Sequence, residues 1–164
     1  MKKKIIITSF AAAFLFVFAA TLSAQSAELN KRKPPVVDQD LVVQIADITA
    51  NAVFYPVEID GMKMEVLAVK VPDGTIRTSF NTCQVCYRSG SGYFVQIGTL
   101  LVCQNCGNRY RMSQVERQAG GCNPVPIFLA NKTVTETTIT ISREYLRQSR
   151  EIFAGGDGTV INAD

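Results

Sequence analysis

No histidine and no tryptophan occur among the 164 residues. Without histidine there is no Ser-His-Asp triad, no His-ligated zinc, no facial-triad iron and no c-type haem attachment, which needs C-x-x-C-H. No glycine-rich loop ends in Lys-Ser or Lys-Thr, so a phosphate-cradling P-loop is excluded as well. Charge is also scarce, at 19% against 47% hydrophobic residues, below the quarter or so usual for soluble domains. Side-chain chemistry therefore falls to sulfur, supplied by five cysteines. The length suits one domain with a substantial core.

The N-terminus reads as an address. Lys2, Lys3 and Lys4 precede an apolar run from Ile5 to Ala20, broken only by Thr8 and Ser9, and small residues follow at Thr21, Ser23 and Ala24. This pattern predicts a secretory signal over residues 1–24, cleaved after Ala24. The competing reading is an uncleaved membrane anchor, since Ile5 to Leu22 nearly suffices to span a bilayer. Either way the domain is expected outside the cytoplasm, periplasmic or extracytoplasmic. The chain has 17 basic and 14 acidic residues; losing the three leader lysines leaves 14 against 14. That balance argues against nucleic acid as a partner. Lys31-Arg32-Lys33 before Pro34-Pro35 reads as part of a polar linker over residues 25–40.

The body of the chain predicts a mainly β (α+β) fold of antiparallel strands and hairpins. Val53 to Ile59 and Met62 to Val71 flank Asp60-Gly61, a strong two-residue hairpin signal. In the second arm Met62, Met64, Val66, Ala68 and Lys70 share one face; Lys63, Glu65, Leu67, Val69 and Val71 share the other. Pro72-Asp73-Gly74 turns the chain into Thr75 to Phe80, and a second hairpin crosses Gly98. Leu41 to Ile48 and the Thr-rich Thr133 to Ile141 complete the strands. One helix is expected from Arg143 to about Phe153, with Ser142 as N-cap. The Cys-rich metal-binding domain would thus occupy residues 41–153, followed by a flexible tail over 154–164.

The cysteines are spaced Cys83-x2-Cys86-x16-Cys103-x2-Cys106-x15-Cys122. Two C-x-x-C pairs at this separation match zinc-ribbon and iron–sulfur ligand sets. Each C-x-x-C turn folds back so that both sulfurs face one centre while backbone N–H groups donate to them. Gly107 after Cys106 permits the positive-φ turn of such a knuckle. Two other readings stay open: structural disulfides, expected in an oxidising compartment, and a redox-active dithiol, which needs a helix N-terminus that neither pair opens. Cys122, in Gly120-Gly121-Cys122-Asn123-Pro124, is a fifth ligand, a replacement ligand or a free buried thiol. Tyr87, Tyr93 and Tyr110 are candidates to pack around the centre. Met62, Met64 and Met112 are either thioether ligands or core.

The motifs also carry a family resemblance. Pro72-Asp73-Gly74-Thr75-Ile76-Arg77, Asn81-x-Cys83-x-x-Cys86-Tyr87, Val102-Cys103-x-Asn105-Cys106-Gly107-Asn108-Arg109-Tyr110 and Gly120-Gly121-Cys122-Asn123-Pro124-x-Pro126 together resemble the FtrD-like membrane iron–sulfur family, over roughly residues 42 to 153. The resemblance implies a cysteine-ligated iron–sulfur cluster or iron, and partners among iron-permease or periplasmic metal-binding components. It implies metal ligation by Cys83, Cys86, Cys103, Cys106 and Cys122. Larger members resemble polytopic membrane proteins carrying this module at one end. The leader here has no twin arginine, so export is expected unfolded, with iron, zinc or copper acquired afterwards.

Two function classes follow: a non-catalytic metalloprotein for electron transfer or metal handling, and a zinc- or disulfide-stapled interaction module. A thiol–disulfide oxidoreductase is a third.

Overall fold

The Asp60-Gly61 turn organises the largest sheet. Both residues take positive φ, 47° and 77°, the geometry whose twist matches two antiparallel strands. A computed structural model describes residues 30–117 and 119–155; the expected signal segment and most of the expected tail lie outside the described residues. The strands are β1 (Lys31–Arg32), β2 (Val36–Val37), β3 (Leu41–Gln44), β4 (Val53–Ile59), β5 (Met62–Lys70) and β6 (Ile76–Cys83), then β7 (Phe94–Ile97), β8 (Leu100–Cys103), β9 (Arg109–Arg111), β10 (Pro124–Pro126), β11 (Thr133–Val134) and β12 (Thr138–Ile141). Helix α1 spans Arg143–Gln148. The fold is mainly β, as the hairpin pattern predicts.

The main sheet runs β1-β4-β5-β6-β10, with β2 also on β4. Its parallel edge is a departure from expectation: residues 31–37, read as linker, pair with β4 through Lys31↔Val53 and Val36↔Val57. The interruption between β1 and β2 is Pro34-Pro35, which cannot donate to the ladder, and it falls beside Pro56 of β4, which cannot either.

Both faces of this sheet are buried, which the β5 alternation makes visible. Met64, Val66 and Ala68 pack into one core with Phe80, Ile139, Ile141, Leu146 and Phe153. Leu67, Val69 and Val71 pack into another with Phe54, Phe94, Leu101 and three cysteines. At roughly 1.5–3 kcal/mol for each large apolar side chain buried, each face is a substantial contribution to stability. Sheet β11-β12-β3 and helix α1 cover the first face; sheet β7-β8-β9 covers the second.

Two local expectations are corrected. Thr133 to Ile141 is not one strand: the Thr135 hydroxyl accepts from the Thr138 amide at 2.9 Å, turning the chain between β11 and β12. The helix stops at Gln148, because the Ser149 amide is shared between the Tyr145 and Leu146 carbonyls. Arg150–Phe153 continues as a 3-10 turn that brings the Phe153 ring edge-on to Phe80, 5.8 Å between centroids. The expected cap forms, with Ser142 Oγ accepting from the Tyr145 amide at 3.2 Å.

Candidate metal centre

The two C-x-x-C pairs lie at strand ends. Cys83 closes β6 and Cys103 closes β8, so the sheet register, through Phe94↔Cys103 on β7, sets how the two turns face each other. The second turn is a knuckle: Gly107 N–H donates to the Cys103 carbonyl and Cys103 N–H to the Asn108 carbonyl, both at 2.9 Å. Gly107 takes φ of 71°, as the motif requires. In the first turn Ser89 N–H donates to the Cys86 carbonyl at 2.9 Å and Gly90 takes φ of 75°.

Cys122 reaches both turns on a loop entered through two left-handed glycines, Gly120 and Gly121. The loop is stitched to the first turn by Gln84, whose side-chain oxygen accepts from Gly120 N–H and whose backbone N–H donates to the Asn123 carbonyl. It is stitched to the second by Asn108 Nδ2, which donates to the Cys122 carbonyl at 2.7 Å. The thiol sulfurs of Cys83, Cys86, Cys103 and Cys122 consequently lie within 4.8 Å of one another. Cys106 is exposed, with its sulfur 2.8 Å from that of Cys122. The Cys83 and Cys86 sulfurs are 3.3 and 4.0 Å from Cys122. All five carry free thiols. The structure thus gathers every cysteine singled out in the sequence.

The environment splits their proton affinities. Burial pushes Cys103 up to about 12 despite N–H groups of Cys106 and Asn105 aimed at its sulfur. Burial raises Cys122 further, with Cys106 and Cys83 adding to it. Cys106 is lowered to about 7, first by its hydrogen bond with Cys122 and then by the Asn108 N–H. Several buried thiols cannot all ionise together without a cation between them. A soft metal ion supplies that cation and takes thiolates as ligands, so this donor set fits iron, zinc or Cu(I).

Around the sulfurs, Tyr110 is buried in the same core and donates to the Gln114 carbonyl at 2.6 Å. Tyr87 instead accepts from Arg88 Nε, and Tyr93 is half-buried. Met64 and Met62 belong to the opposite core, away from the cysteines, and Met112 packs as core beside them.

Residues that sequence reasoning passed over hold the centre in place. Asn81 Nδ2 donates to the Phe94 carbonyl at 3.1 Å and its Oδ1 accepts from Phe94 N–H at 2.9 Å. Behind it, Asn81 also donates to Glu65 at 2.6 Å, and Glu65 is ion-paired to Arg32 at 2.9 Å. The β5 alternation puts Glu65 on a face with Lys63, Leu67, Val69 and Val71, and the structure buries it completely. The C-x-N and N-x-C spacing around the cysteine pairs was the available signal for Asn81 and Asn108.

A buried cysteine cluster built on two knuckles and a third loop marks a metal-binding protein. The family model for the FtrD-like membrane iron-sulfur containing proteins matches residues 48–153, and the chain belongs to that family. No curated protein and no solved structure matches it. Among the described residues, no helix is long and apolar enough to cross a membrane.

Proposed function

We propose that this chain is an extracytoplasmic metalloprotein that serves iron uptake by passing electrons or handling iron, beside a membrane iron permease or a periplasmic metal-binding component. The observation that carries the reading is the meeting of Cys83, Cys86, Cys103 and Cys122 within 4.8 Å, in a family whose name specifies iron and sulfur. The leader pattern over residues 1–24 supports the compartment.

Those four thiols would hold the metal. A bound iron or iron–sulfur group would supply a one-electron couple. The protein's part is placement and insulation. Phe94, Leu101 and Met112 close the apolar side of the centre, where low dielectric strengthens N–H···S contacts and tunes the potential. Cys106 and Val85 bring the other side to the surface, both exposed, which supports electron or metal exchange there. Cys106 stands as a fifth sulfur at this rim.

Metal analysis and a visible spectrum on protein exported and purified without oxygen test the reading. Stoichiometric iron with sulfur-to-iron absorption is expected. Cys83→Ser, Cys86→Ser, Cys103→Ser or Cys122→Ser should abolish it, whereas Cys106→Ser should retain iron with faster exchange. Colourless protein with one zinc would make the centre a structural staple joining β6, the β8–β9 turn and the Cys122 loop. Four oxidised cysteines without metal would overturn the metal centre altogether.

A further inference from the structure

We propose that the seam between the β5–β6 turn and the β8–β9 hairpin binds a small organic anion: an apolar body bearing one carboxylate. A cavity of about 450 Å³ opens there, within the size range of small-molecule sites. Val71 and Pro72 from the turn, Leu100 at the start of β8 and Met112 just after β9 make its apolar wall. Lys70 and Arg111 also line it, held at the seam by the pairings Lys70↔Ile76 and Leu100↔Arg111.

Charge is what selects the ligand. No acidic residue lines this cavity. The nearest carboxylate in sequence, Asp73, is committed to Arg77 at 3.0 Å and Arg117 at 3.4 Å. Lys70 and Arg111 have no acidic partner among the described residues. An apolar wall with two uncompensated cations is complementary to an apolar carboxylate, because the body leaves water while the head pairs with the cations at its rim. The site adjoins the cysteine core, since Val71 and Met112 pack in the same cluster as Cys83, Cys86 and Cys103. The inference holds whichever metal that centre takes.

The test titrates the full holo-protein with 2-naphthoate, 2-naphthalenemethanol as its neutral counterpart, and acetate as the head alone. Saturable one-to-one binding of naphthoate is expected, at least tenfold tighter than the alcohol, with no saturation by acetate. Lys70→Gln and Arg111→Gln, both at exposed positions, should each weaken naphthoate by about fivefold, as an exposed charge contact allows, and added salt should weaken it further. Ala50→Phe, at an exposed position on the cavity lining, should block binding while leaving the urea midpoint unchanged. Equal affinity for the alcohol, unaltered affinity in both charge variants, or no saturable naphthoate binding would each overturn the proposal.

Discussion

Asn81 holds both backbone groups of Phe94, accepting from its N–H at 2.9 Å and donating to its carbonyl at 3.1 Å. Because Asn81 stands two residues before Cys83 and Phe94 lies opposite Cys103 in register, this side chain, with the Cys83 N–H bond to the Gly92 carbonyl, helps set the spacing between the two cysteine turns. Asn81→Ala removes these two bonds and the one to Glu65, leaving buried groups unpaired. The cost should be on the order of 3 kcal/mol, read as a lower urea midpoint at unchanged slope. Metal affinity should fall with it; a wild-type midpoint would show that β7 is held by its ladder to β8 and by packing, without need of Asn81.

The second prediction concerns Glu65, whose proton affinity is raised above the ordinary glutamate value, chiefly by burial, with Asn81 and Arg32 only partly opposing it. A carboxyl whose folded value lies above its unfolded value stabilises the fold fully below the unfolded value, about 4.3, and loses that contribution as pH rises through the folded value. In metal-free protein, the stability difference between wild type and Glu65→Gln should therefore shift in favour of the variant as pH rises from about 4, then level off. Urea midpoints across that range check the sign. A difference independent of pH would mean that Glu65 titrates normally.

Gly92 and Gly107 make a matched pair of tests. A Cβ on Gly92 would lie 2.6 Å from the Cys86 carbonyl carbon and oxygen and 3.0 Å from its Cβ, so Gly92→Ala must push the first cysteine turn outward. A loss of about 2 kcal/mol is expected for such overpacking, with roughly tenfold or greater loss of metal affinity, since the displaced residue carries a ligand. At Gly107 the space is open but φ is +71°, so Gly107→Ala should cost about 1 kcal/mol of backbone strain and keep its metal. Metal stoichiometry after dialysis separates the two; equal behaviour would contradict the assignment of Gly92 as a spacer.

The contrast between those glycines shows where the sequence was legible. Gly107 follows a cysteine and announces a turn; Gly92 has an ordinary φ and matters only because residue 86 folds back against it. Likewise Asp60-Gly61 and Gly98 specify hairpins locally, and the C-x-x-C turns carry their own geometry. The β5 alternation places Glu65 on a face with Lys63 and Leu67 without deciding its burial, which depends on Asn81 and Arg32, brought to it from distant parts of the chain. The pairing of residues 31–37 with β4 is hidden from the sequence for the same reason: Lys-Arg-Lys and Pro-Pro have tether composition, and only the edge of β4 makes them strand.

The last prediction lies on the loop that carries Cys122. Glu116 sits on it at φ 64°, a conformation that costs a non-glycine residue about 1 kcal/mol or more. Its carboxylate accepts from Lys132 Nζ at 2.6 Å and from Thr78 N–H at 2.9 Å, and the lysine side chain is 3% exposed. These two bonds tie the loop to β6 and to the chain ahead of β11. Removing one partner strands a largely buried charge, so Lys132→Met should cost about 3–5 kcal/mol and release the Cys122 loop, seen as faster metal loss to a chelator. Lys132→Met with Glu116→Leu removes both charges and should recover much of the stability. If the pair acts mainly to place the loop, the double variant should still lose metal quickly while melting near wild type. Recovery of both properties would instead assign the pair to stability alone.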